Sequence, residues 1–167
     1  MRPAAGGVAA LDTRLLRVLR TRLHAPPTET AVIALARTGE SGLLWHGIAA
    51  AGAVLDRQRR PLYARAARVV LSALILNSAV KQLVRRARPA LEELPALTTV
   101  VSGRSFPSAH ASTSFAGARA LSGALPAAPL YALALAMALS RPYLGLHYPS
   151  DILAGALLGE AVAELVP

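Results

Sequence analysis

Of the 18 Lys+Arg residues in this 167-residue chain, 17 are arginine and one, Lys81, is lysine. That lone lysine opens a series of residues able to handle a phosphoryl group. Lys81 is followed by Arg85, Arg86 and Arg88-Pro89 at the end of an apolar stretch, where ammonium and guanidinium groups offer charge to an anion. The same cluster also reads as the basic flank of a membrane segment. Next comes Pro107-Ser108-Ala109-His110. Proline suits a first helical turn, serine suits its cap, and the free backbone N–H groups there form an anion site. A histidine in that turn is placed to give a proton to an ester oxygen. The third cluster is Ser140-Arg141, then His147, then Asp151. Pro149 fits an early helical position, so His147 just precedes a helix and Asp151 lies in its first turn. A carboxylate there can accept a hydrogen bond from one imidazole nitrogen, leaving the other as nucleophile or base. Arg141 supplies a planar fork suited to phosphate oxygens. Taken singly, a capping serine beside a surface histidine, or an aspartate favoured by the helix dipole, explains each of the last two clusters as well.

The elements that must carry these residues are helical. Alanine (36) and leucine (29) dominate the chain, a composition that favours helix over sheet. Apolar segments are expected at 41–55, 62–80, 108–124, 125–139 and 150–166, each short of the roughly 20 residues that usually cross a bilayer. The segment 125–139 has no polar outer face, unlike the helices of a soluble bundle. Such short spans need local thinning or snorkelling arginines to complete a crossing. Before them, Val8 to Leu23 reads as an amphipathic helix. Val8, Leu11, Leu15, Val18 and Leu19 share one face and Arg14, Arg17 and Arg20 the other, a pattern suited to the headgroup region of anionic lipid. Residues 1–7 read as a frayed terminus, Pro26-Pro27 as the end of the first helix, and 28–40 as an apolar run too short to span. The fold expected is therefore all-α. It is a polytopic membrane bundle of about five transmembrane helices plus an N-terminal amphipathic helix, with 1–40 a basic amphipathic region and 41–167 the core. Gly155 and Gly159 form a small-xxx-small pair for close helix packing.

Composition narrows the class further. Hydrophobic residues make up 54% and charged residues 16% of the chain, and mean hydropathy is +0.44, which excludes a disordered polymer. With no cysteine, disulfides, thiolate zinc sites and thiol catalysis are excluded. The net charge of +9 would suit nucleic acid, but aromatic residues are only 4% and no recognition element is visible. Arginines between apolar segments point to membrane lipid as the partner and not to nucleic acid.

Together and in order, Lys81-x6-Arg88-Pro89, Pro107-Ser108-Ala109-His110 and Ser140-Arg141-x5-His147-x3-Asp151 resemble the three-part signature of the type 2 phosphatidic acid phosphatase family. That family also includes soluble acid phosphatases and vanadium haloperoxidases. The match spans residues 81–151, and the one departure is Ala109, where the family usually has glycine; the backbone N–H survives the change. The resemblance implies an integral membrane lipid-phosphate phosphatase that needs no metal or other cofactor. His147 would attack phosphorus with Asp151 holding its tautomer, and His110 would protonate the leaving oxygen. Lys81, Arg88, Arg141, Ser108 and the backbone at Ala109 would hold the phosphoryl oxygens. Short members of the family resemble phosphatases of polyprenyl-linked phosphates, with undecaprenyl pyrophosphate, phosphatidylglycerophosphate and phosphatidic acid as alternative substrates. A vanadate-dependent haloperoxidase and a catalytically silent lipid- or partner-binding membrane protein are the competing readings. Arg2, Arg14, Arg17, Arg20, Arg22 and Arg37 flank the site face, and Arg57, Arg59 and Arg60 the opposite loop, with Arg65, Arg68 and Arg119 nearby. The positive-inside rule leans toward a cytoplasmic site, and an amphipathic arginine helix on anionic cytoplasmic-leaflet lipid tips the expectation that way. His24 and His46 receive no role, and the sequence leaves the oligomeric state open.

Overall fold

The computed structural model describes residues 7–22, 24–99 and 102–167. Arg2, counted in the basic flank, and Leu23, the expected end of the first helix, lie outside the described residues. So do residues 1–6 of the expected frayed terminus. The regular elements of the described residues are all helical: α1 (Val8–Thr21), α2 (Pro26–Thr38), a 3-10 turn (Glu40–Gly42), α3 (Leu43–Leu55), a second turn (Arg57–Arg59), α4 (Arg60–Val84), α5 (Ala109–Leu121), α6 (Ala127–Tyr143) and α7 (Pro149–Leu165). Each of the five expected apolar segments corresponds to a helix. α4 runs past its expected end to include Lys81, and Arg85 closes it in the left-handed region with φ 53°. α6 likewise continues through Arg141.

Residues 28–40, expected to be too short to span, lie largely in the 13-residue α2, and Pro26-Pro27 opens this helix as well as separating it from α1. Proline lacks only an N–H that would be unpaired in a first turn anyway. Arg20, placed with Arg14 and Arg17 on the outer face of α1, is buried. Its Nη1 donates to the Tyr143 carbonyl at 3.1 Å and its Nη2 to the Pro95 carbonyl at 2.7 Å. α1 thus meets the protein through the stripe Asp12, Leu16 and Arg20, spaced four apart. Val8, Leu11, Leu15 and Val18 remain exposed.

α5 is the central helix, packed against α4, α6 and α7. It can be central because it is made of small residues. Ala111, Ala116, Ala118 and Gly117 are buried, and Trp45 of α3 lies over Gly117, where an added Cβ would meet the indole at 2.7 Å. The indole N–H donates to Ser114 Oγ at 2.9 Å, satisfying a polar group that would be costly to bury unpaired. On α7, a Cβ at Gly159 would come within 2.3 Å of the Ser112 carbonyl oxygen.

Beyond Trp45, Leu121 and Met137, which are buried, many large apolar side chains point outward. Leu71, Leu135 and Leu157 are exposed, Ile75 is 61% exposed and Leu153 63% exposed. Small residues inside and large ones outside invert the pattern of a water-soluble bundle. By length and composition, Arg57–Val84 is the one helical stretch among the described residues able to cross a membrane.

α1 and both ends of α2 lie at one end of this bundle. The His24 ring, just ahead of α2, stacks on Tyr143 at the end of α6 with centroids 4.0 Å apart. Near the other end of α2, the Ala36 carbonyl accepts a hydrogen bond from His110 at the start of α5.

The α5–α7 contact generates a stability test. Gly159→Ala should destabilise the protein by about 1–3 kcal/mol through overpacking against backbone. Gly47→Ala, where a Cβ meets nothing within 4 Å, should be neutral or stabilising, by up to about 1 kcal/mol of helix propensity. Thermal unfolding of detergent-solubilised protein reads both, and a Gly159→Ala protein as stable as the parent would show the helices less tightly joined.

Candidate active site

Four helix ends and one loop converge where α1 and α2 cover the bundle. Lys81 lies in the last turn of α4, Ser108 caps the start of α5, α6 ends after Arg141, and α7 begins just beyond His147. They enclose a cavity of about 600 Å³ lined by Lys81, Arg88, Ala109, His110, Arg141 and His147. The two other expected residues, Ser108 and Asp151, are fully buried in the layer behind it.

The loop from Arg85 to Ser108 is pinned at several points. Ala87 and Arg104 form an antiparallel bridge, and the Ser105 N–H donates to the Arg86 carbonyl at 2.8 Å. The Leu97 N–H donates to the Leu144 carbonyl at 3.0 Å. Lys81 Nζ donates to the Arg104 carbonyl at 3.2 Å, which directs the ammonium along the cavity wall. Arg88 Nε donates to the Ser102 carbonyl and its Nη1 to the Leu146 carbonyl, both at 2.7 Å. Arg141 is buried, and its Nε has no hydrogen-bond partner among the described residues. A buried guanidinium with unused donors is costly without an anion.

His147 has the geometry of a poised lone pair. Arg88 Nη1 lies 3.0 Å from its Nε2. Arg88 can only donate, so Nε2 is the unprotonated nitrogen. Nδ1 then carries the hydrogen and faces Asp151 Oδ2 at 3.6 Å, too long for a hydrogen bond but within ion-pair reach. Burial pushes the His147 pKa down to about 3; Asp151 opposes the shift, and Arg88, Arg141 and Lys81 add to it. The ring is therefore neutral across the physiological range. Asp151 is itself held by the Tyr148 N–H on Oδ2 at 2.9 Å and by Arg86 Nη1 on Oδ1 at 2.8 Å.

His110 uses Nε2 toward the Ala36 carbonyl at 2.9 Å, which leaves Nδ1 as the nitrogen free to exchange a proton. Gly39 abuts the same ring: a Cβ there would stand 2.9 Å from its Cδ2. Ser108 caps α5 and lies behind the first-turn amides. Its N–H donates to the Asp151 carbonyl at 3.0 Å, and Asn77 Nδ2 reaches Ser112 Oγ at 2.9 Å and the Pro107 carbonyl at 3.3 Å. α2 contributes Ile33 and Ala36 to the lining beside Leu74 and Leu144, and Arg37, Glu40, Thr98 and Ser102 add polar lining.

Sequence reading missed three contributors. The first is the Ala36 carbonyl, for which no side-chain signal exists. The second is Arg86, read only as part of a basic cluster. The third is Asp12 on α1, whose Oδ1 accepts the Ser150 N–H and whose Oδ2 pairs with Arg86 at 2.8 Å. Burial works against the charge of Asp12, but hydrogen bonds from Arg86 and Ser150 outweigh it and hold its pKa below the ordinary carboxylate value. A signal was present: Asp12 is the one acidic residue of α1 and sits in register with Leu16 and Arg20.

These features coincide with a known family. Residues 62–167 match the PAP2 superfamily, and the chain belongs to that family. It is 42% identical over 135 residues to a protein of Mycobacterium tuberculosis (strain CDC 1551 / Oshkosh) named decaprenylphosphoryl-5-phosphoribose phosphatase, covering 79% of this chain and 75% of that one. A protein of the same name from Mycolicibacterium smegmatis is 34% identical over 146 residues, covering 86% and 80%. Among solved structures, a transmembrane PAP2-type phosphatidylglycerolphosphate phosphatase from Bacillus subtilis superposes with TM-score 0.76. It is 24% identical, with 98% of this chain and 86% of that one covered, and so supports the fold.

The state of His147 carries a pH dependence. The unfolded imidazole takes up a proton near 6.5, whereas the folded one does so only near 3. Between these values the unfolded chain binds more protons, so this contribution to stability is complete above pH 6.5 and is lost as pH falls toward 3. His147→Ala should flatten that part of a plot of Tm against pH. An unchanged slope would place the His147 ring in a more polar setting.

Proposed function

We propose that the protein is an integral membrane phosphatase that hydrolyses the phosphomonoester of a polyprenyl-linked lipid, with decaprenylphosphoryl-5-phosphoribose as its substrate. The observation that carries this reading is the meeting of Lys81, Arg88 and Arg141 with the unprotonated Nε2 of His147 in one cavity that also has apolar lining. The names of the two mycobacterial relatives support the substrate. The outward-facing leucines and isoleucine support a lipid environment. α4 crosses by its own length, and the shorter α3, α5, α6 and α7 complete their crossings with help from arginines at the end opposite the site. Residues 41–167 form the phosphatase core under a basic amphipathic region, 1–40.

In this mechanism an entering phosphate takes over the Arg88 donor now on His147 and brings phosphorus in line with Nε2, while its charge favours the doubly protonated form of His110. The N–P bond forms as the ester P–O bond breaks, and the leaving oxygen takes the Nδ1 proton of that imidazolium. Asp151 stabilises the positive ring, and Lys81, Arg88, Arg141 and the first-turn amides behind Ala109 receive the developing oxyanion charge. Water, losing its proton to His110, then cleaves the phosphohistidine and releases phosphate.

Purified protein should release phosphate from decaprenylphosphoryl-5-phosphoribose with a higher kcat/KM than from undecaprenyl pyrophosphate, phosphatidylglycerophosphate or phosphatidic acid. Preference for a short soluble phosphate would overturn the lipid reading. His147→Ala should lower kcat by at least about a thousandfold, and Asp151→Asn should leave a small residue of activity. EDTA should have no effect and vanadate should inhibit; a Mg²⁺ requirement would sink the mechanism. The site faces the cytoplasm in this reading, because the exposed Arg14, Arg17, Arg22 and Arg37 flank it. Glu92→Cys, in a chain with no other cysteine, should therefore resist impermeant maleimide in intact cells. Labelling there would put the site outside.

A further inference from the structure

We propose that Arg86 and Asp12 are positioning residues for the nucleophile: Arg86, clamped between Asp12 and Asp151, fixes the carboxylate that orients His147. The inference rests on the reading of His147 as nucleophile. Neither residue lines the cavity, so neither touches substrate.

The geometry is a chain of charges that ends at the reacting ring. Arg86 Nη1 donates to Asp151 Oδ1 at 2.8 Å and to Ser150 Oγ at 2.7 Å. Its Nη2 donates to Asp12 Oδ2 at 2.8 Å, and its guanidinium lies 4.1 Å over the Tyr148 ring. Asp12 in turn accepts the Ser150 N–H at 2.9 Å and the Ser150 hydroxyl hydrogen. One planar cation is thus held on two edges by carboxylates and on one face by a ring. Only a guanidinium can bridge two carboxylates this way; an ammonium is a single point of charge.

The arrangement answers a need of Asp151. A fully buried carboxylate is costly unless both of its oxygens are satisfied, yet its Oδ2 must remain turned toward His147 Nδ1. Arg86 meets both demands by occupying Oδ1. Left with Asp151 alone, Arg86 could swing about the loop and take the carboxylate with it. Asp12 removes that freedom from 74 residues away in sequence, which makes α1 part of the site's framework rather than an accessory to it.

Kinetics and spectroscopy together test this. Arg86→Lys and Asp12→Asn should lower kcat by roughly tenfold or more, on the scale of lost second-layer contacts, with KM unchanged. Rates are normalised to active sites counted by trapped phosphohistidine. Ser150→Ala, which alters no charge, should give a smaller loss of the same kind. The double variant Asp12→Asn/Arg86→Lys should lose less than the product of the single losses, because both act on one clamp. Independently of turnover, histidine-selective ¹⁵N spectra should show His147 with hydrogen on Nδ1 in the parent and as a mixture of tautomers in both single variants. The His147 signal is assigned by its absence in His147→Ala. Parent kcat in folded Arg86→Lys and Asp12→Asn, a rise in KM alone, or an unchanged His147 tautomer would each overturn the proposal. Absence of phosphate release from the parent would instead strike the proposed function, and the tautomer measurement would still decide the clamp.

Discussion

The structure of the site depends on the burial of one carboxylate. Asp151 is fully buried, and every group around it is arranged to make that tolerable. The Tyr148 N–H and Arg86 satisfy its two oxygens. Its backbone carbonyl accepts the Ser108 N–H, so the start of α7 is tied to the start of α5. The three separated sequence clusters are thereby brought within one hydrogen-bonded unit: Arg86 from the first, Ser108 from the second, His147 beside Asp151 in the third. An aspartate in a first helical turn is stabilised by the free N–H groups and the dipole, which offsets part of the cost of its burial. The remainder falls to Arg86, and through it to α1.

Around this unit the bundle divides its chemistry between two ends. Cations at the site end line a cavity. Those at the other end close helices: Arg65 donates to the Ala163 carbonyl at 2.6 Å, Arg59 to the Ala124 carbonyl at 2.9 Å and Arg60 to the Ala53 carbonyl at 2.8 Å. These carbonyls belong to helix ends or the turn after one and have no onward helical partner. Between the two ends, close approach of α5 and α7 through glycine and alanine frees leucine and isoleucine to face outward. An arginine-rich, lysine-poor composition serves both ends. The guanidinium reaches several acceptors from one stem and stays charged, whether it caps a helix or waits for a phosphate.

How far the sequence disclosed this depended on whether a feature was local. Lys81, Arg88, His110, Arg141 and His147 could be named before any fold was known because their order and spacing together resemble a family signature, which no one of the three clusters carries alone. The helix periods were equally legible, apart from α2. There Pro26-Pro27 mark a boundary whose two sides cannot be told apart by residue type, because proline both ends one helix and starts the next. Arg20 and Asp12 escaped for another reason. On a helical wheel they belong to the polar side of α1, and only tertiary contact reveals that part of this side faces the protein. The Ala36 carbonyl was invisible altogether, since backbone atoms carry no sequence signature.

The position of α2 explains why the cavity has the shape it has. Without this helix, His110 would stand at the open end of the bundle with its Nε2 toward water. With it, the ring is fixed by the Ala36 carbonyl, and Gly39 lets the chain pass close enough for that bond to form. The same helix adds Ile33 to the cavity lining, together with Leu74 and Leu144. A water-filled basin of three cations would bind any small anion at a strength set by salt. Apolar lining favours a ligand with apolar surface of its own. The N-terminal region thus adds apolar lining through α2 and ties down Arg86 through α1, while the cations expected to hold a phosphoryl group all lie beyond residue 80.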